Sequence, residues 1–180
     1  MDPGAWPDRS VEEAEYRLHV NAVDDPGYRR FLARLAEPLL ARLAPGSEGL
    51  DFGCGPGPAL AVMLREAGHS VALYDPLFFD DPRVLEQQYD FVSCSEVAEH
   101  FHRPAEAFEQ LDGLLRPGAW LGVMTGFLDD GVDFERWHYR RDPTHVVFYR
   151  EQTFRFLAQR HGWQCELAGA NVVLMRKPVR

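Results

Sequence analysis

The stretch Gly49-Leu50-Asp51-Phe52-Gly53-Cys54-Gly55-Pro56-Gly57-Pro58 decides how the rest of the chain is read. Its first four residues follow the punctuation Pro45-Gly46-Ser47 and read as a short buried strand. Glycines at alternate positions come next. Ala59 to Ala67 then reads as a helix that ends at Gly68, where a left-handed cap belongs. A loop that leaves a strand and opens a helix presents backbone N–H groups to a ligand, and glycine lets the main chain approach without a Cβ in the way. The spacing is GxGxG. The dinucleotide pattern GxGxxG needs glycine where Pro58 stands, so a pyrophosphate site is disfavoured.

Outward from the loop, Val71 to Tyr74 reads as a second strand stopped by Asp75-Pro76, and Tyr89 to Cys94 as another. Ala105 to Leu115 has helical spacing and closes at Arg116-Pro117-Gly118, after which Ala119 to Thr125 is a further strand. Upstream, Val11 to His19 and Gly27 to Leu43 are helical, and Pro38 is expected to kink or divide the second of them. Downstream, Glu151 to His161 is a helix, and Trp163 to Leu167 and Asn171 to Arg176 are strands joined by Ala168-Gly169-Ala170. Strands that alternate with helices call for a parallel sheet covered on both faces, and the short last connection calls for a hairpin. The expected fold is therefore α/β: a Rossmann-like, mostly parallel sheet with flanking helices and an antiparallel C-terminal strand.

At 180 residues the chain suits a single domain. Within it, residues 1–45 are read as an N-terminal helical cap, 46–126 as a ligand-binding core, 127–150 as a second binding segment and 151–180 as the C-terminal helix and hairpin. A formal charge of −9 repels a polyphosphate over most of the surface, so nucleic-acid binding would need a local basic patch, with Arg136, Arg140 and Arg141 as its candidates. The N-terminus has no basic start followed by an apolar run, and no segment approaches membrane-spanning length. Cys54, Cys94 and Cys165 form neither a disulfide framework nor a CxxC pair. A cytoplasmic protein without membrane contact is expected.

Asp75 stands eighteen residues past Gly57 at the end of the second strand, where such folds present a carboxylate to ribose hydroxyls. The competing reading of Asp75 is a turn-initiating Asp-Pro. Asp51 adds negative charge at the first strand, which suits a cationic ligand better than a polyanion. Taken in order, Asp51 to Gly57, Asp75, Tyr89 to His100 and Leu114 to Trp120 resemble the motifs of class I S-adenosylmethionine-dependent methyltransferases. The resemblance implies that S-adenosyl-L-methionine is the cofactor and that Gly53, Cys54, Gly55 and Gly57 cradle it. It also implies that Asp51 lies near its amino group, that Asp75 holds its ribose, and that Ser95 and Glu96 border it from below. One departure stands out. Only fourteen residues separate Asp75 from Asp90, too few for the helix and third strand the family inserts there, so that region is expected to be abbreviated. Leu77, Phe78 and Phe79 are available to pack on the purine or to serve the core.

Methyl transfer relies on positioning, assisted where necessary by a base. The candidate catalytic residues are His145, in Asp142-Pro143-Thr144-His145 followed by Phe148-Tyr149, and His100, in Glu96-Val97-Ala98-Glu99-His100. For each the plain alternative is a structural hydrogen bond. The first pattern resembles that of a subset of small methyltransferases, in the region where the family places its acceptor. No metal is assigned, since His100-Phe101-His102 is not a zinc-specific spacing and no HExxH is present. A small-molecule methyl acceptor is the expected partner. Competing readings are a nucleic-acid or protein methyltransferase, a non-catalytic cofactor-binding module and, more weakly, a nicotinamide-dependent oxidoreductase.

Overall fold

The computed structural model describes residues 6–7, 9–16 and 22–179. The strands are β1 Glu48–Phe52, β2 Ser70–Tyr74, β3 Tyr89–Ser95, β4 Leu115–Met124, β5 Gln164–Gly169 and β6 Val172–Arg176. The helices are α1 Arg9–Tyr16, α2 Pro26–Leu40, α3 Ala59–Glu66, α4 Pro104–Leu114 and α5 Glu151–His161. The strands form one sheet in the order β2-β1-β3-β4-β6-β5. β1 to β4 pair in parallel, and β6 pairs antiparallel with both β4 and β5. The sheet is thus mixed, mostly parallel and flanked by helices, as expected. The hairpin folds back so that its second strand lies inside the sheet and its first forms the edge.

Burial on both faces explains the apolar runs. Phe108 and Leu111 of α4 and Phe154 of α5 pack with Val92, Cys94, Leu121 and Val123 on one face. Leu32, Leu35 and Leu39 of α2 and Leu60 and Leu64 of α3 pack with Phe91, Met124 and Leu174 on the other. Successive β3 residues Phe91 and Val92 serve opposite layers, the period-two rule of a strand buried on both sides. At Gly49 an added Cβ would lie 2.1 Å from the Phe91 ring, so a glycine there lets the neighbouring strand carry a phenylalanine.

Two expectations need correction. Pro38 does not divide its helix: α2 runs unbroken from Pro26 to Leu40. Proline removes one N–H, and here only two helical residues follow it, while Leu35, Ala36 and Leu39 anchor the last turns in the core. Arg116-Pro117-Gly118 does not separate α4 from the next strand, because β4 already begins at Leu115 opposite Tyr89 and the register then shifts before Phe91 meets Trp120. Such an irregularity accommodates Pro117 and the positive φ of Gly118 within a strand. The first predicted helix covers Arg9–Tyr16, and its expected extension to His19 lies outside the described residues.

The short connection after β2 carries no strand of the sheet. Asp75 and Phe79 form an isolated bridge that closes a tight turn, and a 3-10 turn at Pro82–Glu86 leads into β3. The abbreviated region is therefore a compact corner, and β2 is the edge of the sheet opposite β5.

Candidate active site

A cavity of about 850 Å³ opens at the carboxyl ends of β1, β2 and β3, where ligands bind in open α/β sheets. The candidate residues from Asp51 to Gly57, together with Asp75, Ser95, Glu96, His100 and His145, all line it. Glu12 and Tyr16 of α1 close one side. Leu77 and Phe78 face the cavity, whereas Phe79 is spent on the turn.

Gly53 and Gly55 adopt φ of 75° and 61°, the left-handed region that favours glycine. The N–H groups of Gly53 and Cys54 donate to the Tyr74 carbonyl, at 2.7 and 3.2 Å, tying the loop to β2. Asp75 completes the tie: its carboxylate accepts from the Gly55 N–H at 3.0 Å and from the N–H groups of Leu77 and Phe78 at 2.9 and 3.1 Å. The two sequence readings of Asp75 are therefore compatible. It organises the turn and the glycine loop, and a carboxylate with about four lone-pair sites still has one for a ribose hydroxyl.

Asp51 lines the cavity and is also held from the protein side. Its carboxylate is buried, accepting from Ser93 Oγ at 2.7 Å and from the Ala61 N–H near the start of α3, a helix whose own N-cap, Pro58, supplies no side-chain cap. Burial pushes its pKa up to about 6, against the opposing effect of those hydrogen bonds. Burial, followed by the Asp51 and Asp75 charges, also drives the Cys54 thiol up, so it stays protonated. The fit to a sulfonium nucleoside rests on the glycine cradle, these carboxylates and Ser95, whose buried Oγ has no hydrogen-bond partner among the described residues.

Beyond β3 the cavity becomes a polar cluster. Glu96 holds a φ of 54°, a strained conformation for a residue with a side chain. Glu99, fully buried, accepts from Thr125 Oγ1 at 2.8 Å and from the Tyr139 hydroxyl. The same hydroxyl lies 3.3 Å from Glu96 and accepts from the Gly126 N–H at 3.0 Å. Burial, then the charge of Glu99, pushes the Glu96 carboxyl up to about 8, and burial raises Glu99 as well.

His145 is 7% exposed, with Nδ1 2.6 Å from the Tyr139 carbonyl and Nε2 3.6 Å from Asp142. Burial, then neighbouring His100, lowers its pKa. His100 places Nδ1 3.0 Å from the Thr144 carbonyl, and the two rings meet edge to face at 4.9 Å. Each histidine thus both tethers the loop and faces the cavity. Sequence reasoning did not single out Tyr139 as a polar hub. Glu99 was quoted beside His100 but given no role of its own, although a glutamate three residues after Glu96 was a usable signal.

The model of a methyltransferase domain matches residues 27–168. No curated protein matches the chain by sequence. Among solved structures, it is similar to 1,6-didemethyltoxoflavin-N1-methyltransferase of Burkholderia thailandensis, which was crystallised with 1,6-didemethyltoxoflavin and S-adenosylhomocysteine. The identity is 17%, the TM-score 0.63, and the match covers 94% of this chain and 84% of that one. The PH0226 protein of Pyrococcus horikoshii aligns at 16% identity and TM-score 0.64, over 92% and 98% of the two chains. The cyclase SpnF aligns at 16% and 0.54, over 85% and 82%. Likeness at this level establishes the fold, and the domain match establishes the kinship. The chain belongs to the methyltransferase-domain family and is a class I S-adenosylmethionine-dependent methyltransferase.

Proposed function

We propose that this protein methylates a small molecule held between the glycine loop and the His100–His145 cluster. The observation that carries the reading is the two-part character of one cavity. Glycine loop, Asp75 and Ser95 line one part; Tyr139, His100 and His145 line the other. Its volume of about 850 Å³ falls within the range of about 300–1,000 Å³ usual for small-molecule sites.

S-adenosylmethionine supplies an electrophilic methyl group on a sulfonium. The chain's own residues do the rest: Gly53 to Gly57 and Asp75 hold the nucleoside end, and Ser95 offers an open hydroxyl. His145, and after it His100, orients the acceptor and takes part in removal of its proton. The 127–150 segment supplies that acceptor side through Tyr139 and His145. A bound heterocycle in the toxoflavin-precursor enzyme supports a small acceptor here.

Against a polynucleotide, the candidate basic patch is diluted. Arg136 pairs with Asp133 at 3.6 Å, and Arg140 bonds the Glu135 carbonyl and lies over Phe134. No helix among the described residues is long and apolar enough to cross a membrane. All three cysteines are free, which supports a reducing, cytoplasmic setting.

The test is calorimetric titration with S-adenosylmethionine and, separately, NADH, followed by a screen for methyl transfer to small acceptors. Saturable binding of the first alone is expected. His145→Ala should then lower turnover without altering cofactor affinity. Binding of neither ligand would refute the reading.

A further inference from the structure

Glu99, His100 and His145 bring three donor atoms within 4.8 Å of one another at the acceptor end of the cavity. Each imidazole sets Nδ1 against a main-chain carbonyl, His100 at 3.0 Å from Thr144 and His145 at 2.6 Å from Tyr139. A carbonyl oxygen only accepts, so Nδ1 carries the proton, and in the neutral ring the lone pair sits on Nε2. Behind Glu99 stand the hydroxyls of Thr125 and Tyr139. Among the described residues no lysine or arginine forms an ion pair with this fully buried carboxylate. Carbonyls behind the imidazoles and hydroxyls behind the carboxylate are the outer layer that orients metal ligands.

We propose that Glu99, His100 and His145 bind one divalent first-row transition cation, leaving positions open toward the cavity. Two imidazole nitrogens and one carboxylate oxygen suit zinc, iron, cobalt or manganese better than calcium. Bonds of about 2.0–2.2 Å place adjacent donors about 3 Å apart, so the present spacing closes by side-chain rotations of about 1–2 Å. Asp142, 3.6 Å from His145, adds negative charge beside the site. The sequence reading looked for a spacing motif around His100-Phe101-His102 and assigned no metal; residues 99–100 and 145 are joined by no such motif and meet only in the fold.

This inference rests on the methyl-transfer reading and narrows its substrate to a molecule with an ionisable hydroxyl. Coordination of the acceptor oxygen at an open position favours loss of the O–H proton to solvent. The oxygen pair then forms the O–CH3 bond as the S–CH3 bond breaks, and the sulfur keeps that electron pair as a neutral thioether. With a cation in place, His100 and His145 act as its ligands, and the acceptor is acidified through the metal.

Chelator-treated protein would be titrated with cobalt(II) chloride and followed by visible absorption, with S-adenosylhomocysteine binding measured in parallel by calorimetry. The expected result is d–d bands that saturate at one cobalt per chain and vanish on adding zinc. His100→Ala and His145→Ala should each weaken cobalt binding by more than about 100-fold, beyond the cost of losing an outer partner. His145→Cys should keep the metal and add a thiolate-to-cobalt charge-transfer band, whereas His161→Ala, in α5, should titrate like the wild type. Absence of cobalt binding, or wild-type cobalt affinity in either alanine variant, overturns the site. If S-adenosylhomocysteine still binds in that case, the methyl-transfer reading survives; cobalt binding without S-adenosylhomocysteine binding would instead refute that reading and leave the site standing.

Discussion

Replacing three glycines by alanine should separate three costs that a single loop variant would confound. Gly53, Gly55 and Gly162 all have positive φ, of 75°, 61° and 71°. At Gly162, the left-handed cap of α5, an added Cβ meets nothing within 4 Å among the described residues, so Gly162→Ala carries only backbone strain, about 1–2 kcal/mol. Gly53→Ala carries the same strain and also sets its Cβ 2.5 and 2.6 Å from the two Cγ atoms of Val97. A β-branched neighbour cannot rotate both methyls away, and overpacking adds about 1–3 kcal/mol, for a total of about 2–5 kcal/mol. Gly55→Ala again meets no atom of the described residues within 4 Å, yet Gly55 lines the cavity. It should unfold in urea as Gly162→Ala does, while S-adenosylhomocysteine affinity by calorimetry falls more than about tenfold, or about 1.4 kcal/mol. Equal affinity in Gly55→Ala and Gly162→Ala would refute the assignment of this loop as the cofactor cradle.

Two further predictions concern the carboxylates. The raised pKa of Asp51, about 6, means that its contribution to stability is fully present below its unfolded value and is lost as pH rises through 6. Asp51→Asn should therefore match the wild type near pH 4 and exceed it by about 3 kcal/mol near pH 8, measured by urea denaturation without cofactor; a pH-independent difference would count against a buried carboxylate. Asp75→Ala strands three main-chain donors, so it should lower stability by about 2 kcal/mol or more as well as cofactor affinity. Asp75→Asn, which keeps one acceptor oxygen for Leu77 and Phe78, should recover most of the stability but little of the affinity; loss of affinity strictly in proportion to stability would leave Asp75 with the turn alone.

Much of the fold was legible because strands buried on both sides are continuous apolar runs and the helices between them keep a 3.6-residue period. The glycine loop is equally local, since Gly53 and Gly55 are demanded by backbone angles within a few residues. Element ends were less legible. Whether Pro38 stops a helix depends on what Leu35 and Leu39 bury, and whether Pro117 stops a strand depends on the partner's register at Tyr89. Neither quantity exists in a local window.

For the site, sequence alone determined which loop opens toward a ligand and which acidic residue follows the second strand, because those positions are set by strand and turn lengths. Tertiary structure decided what the side chains do there. It turned Asp51 toward Ser93 and the start of α3, and engaged Asp75 with the Gly55 N–H across the loop. It also brought Tyr139 onto Glu99, and His145 against His100, from segments about forty residues apart. Those meetings come from packing one long connection over the carboxyl edge of the sheet. Hydrogen-bond geometry at a few ångströms is fixed by that packing and by no spacing along the chain.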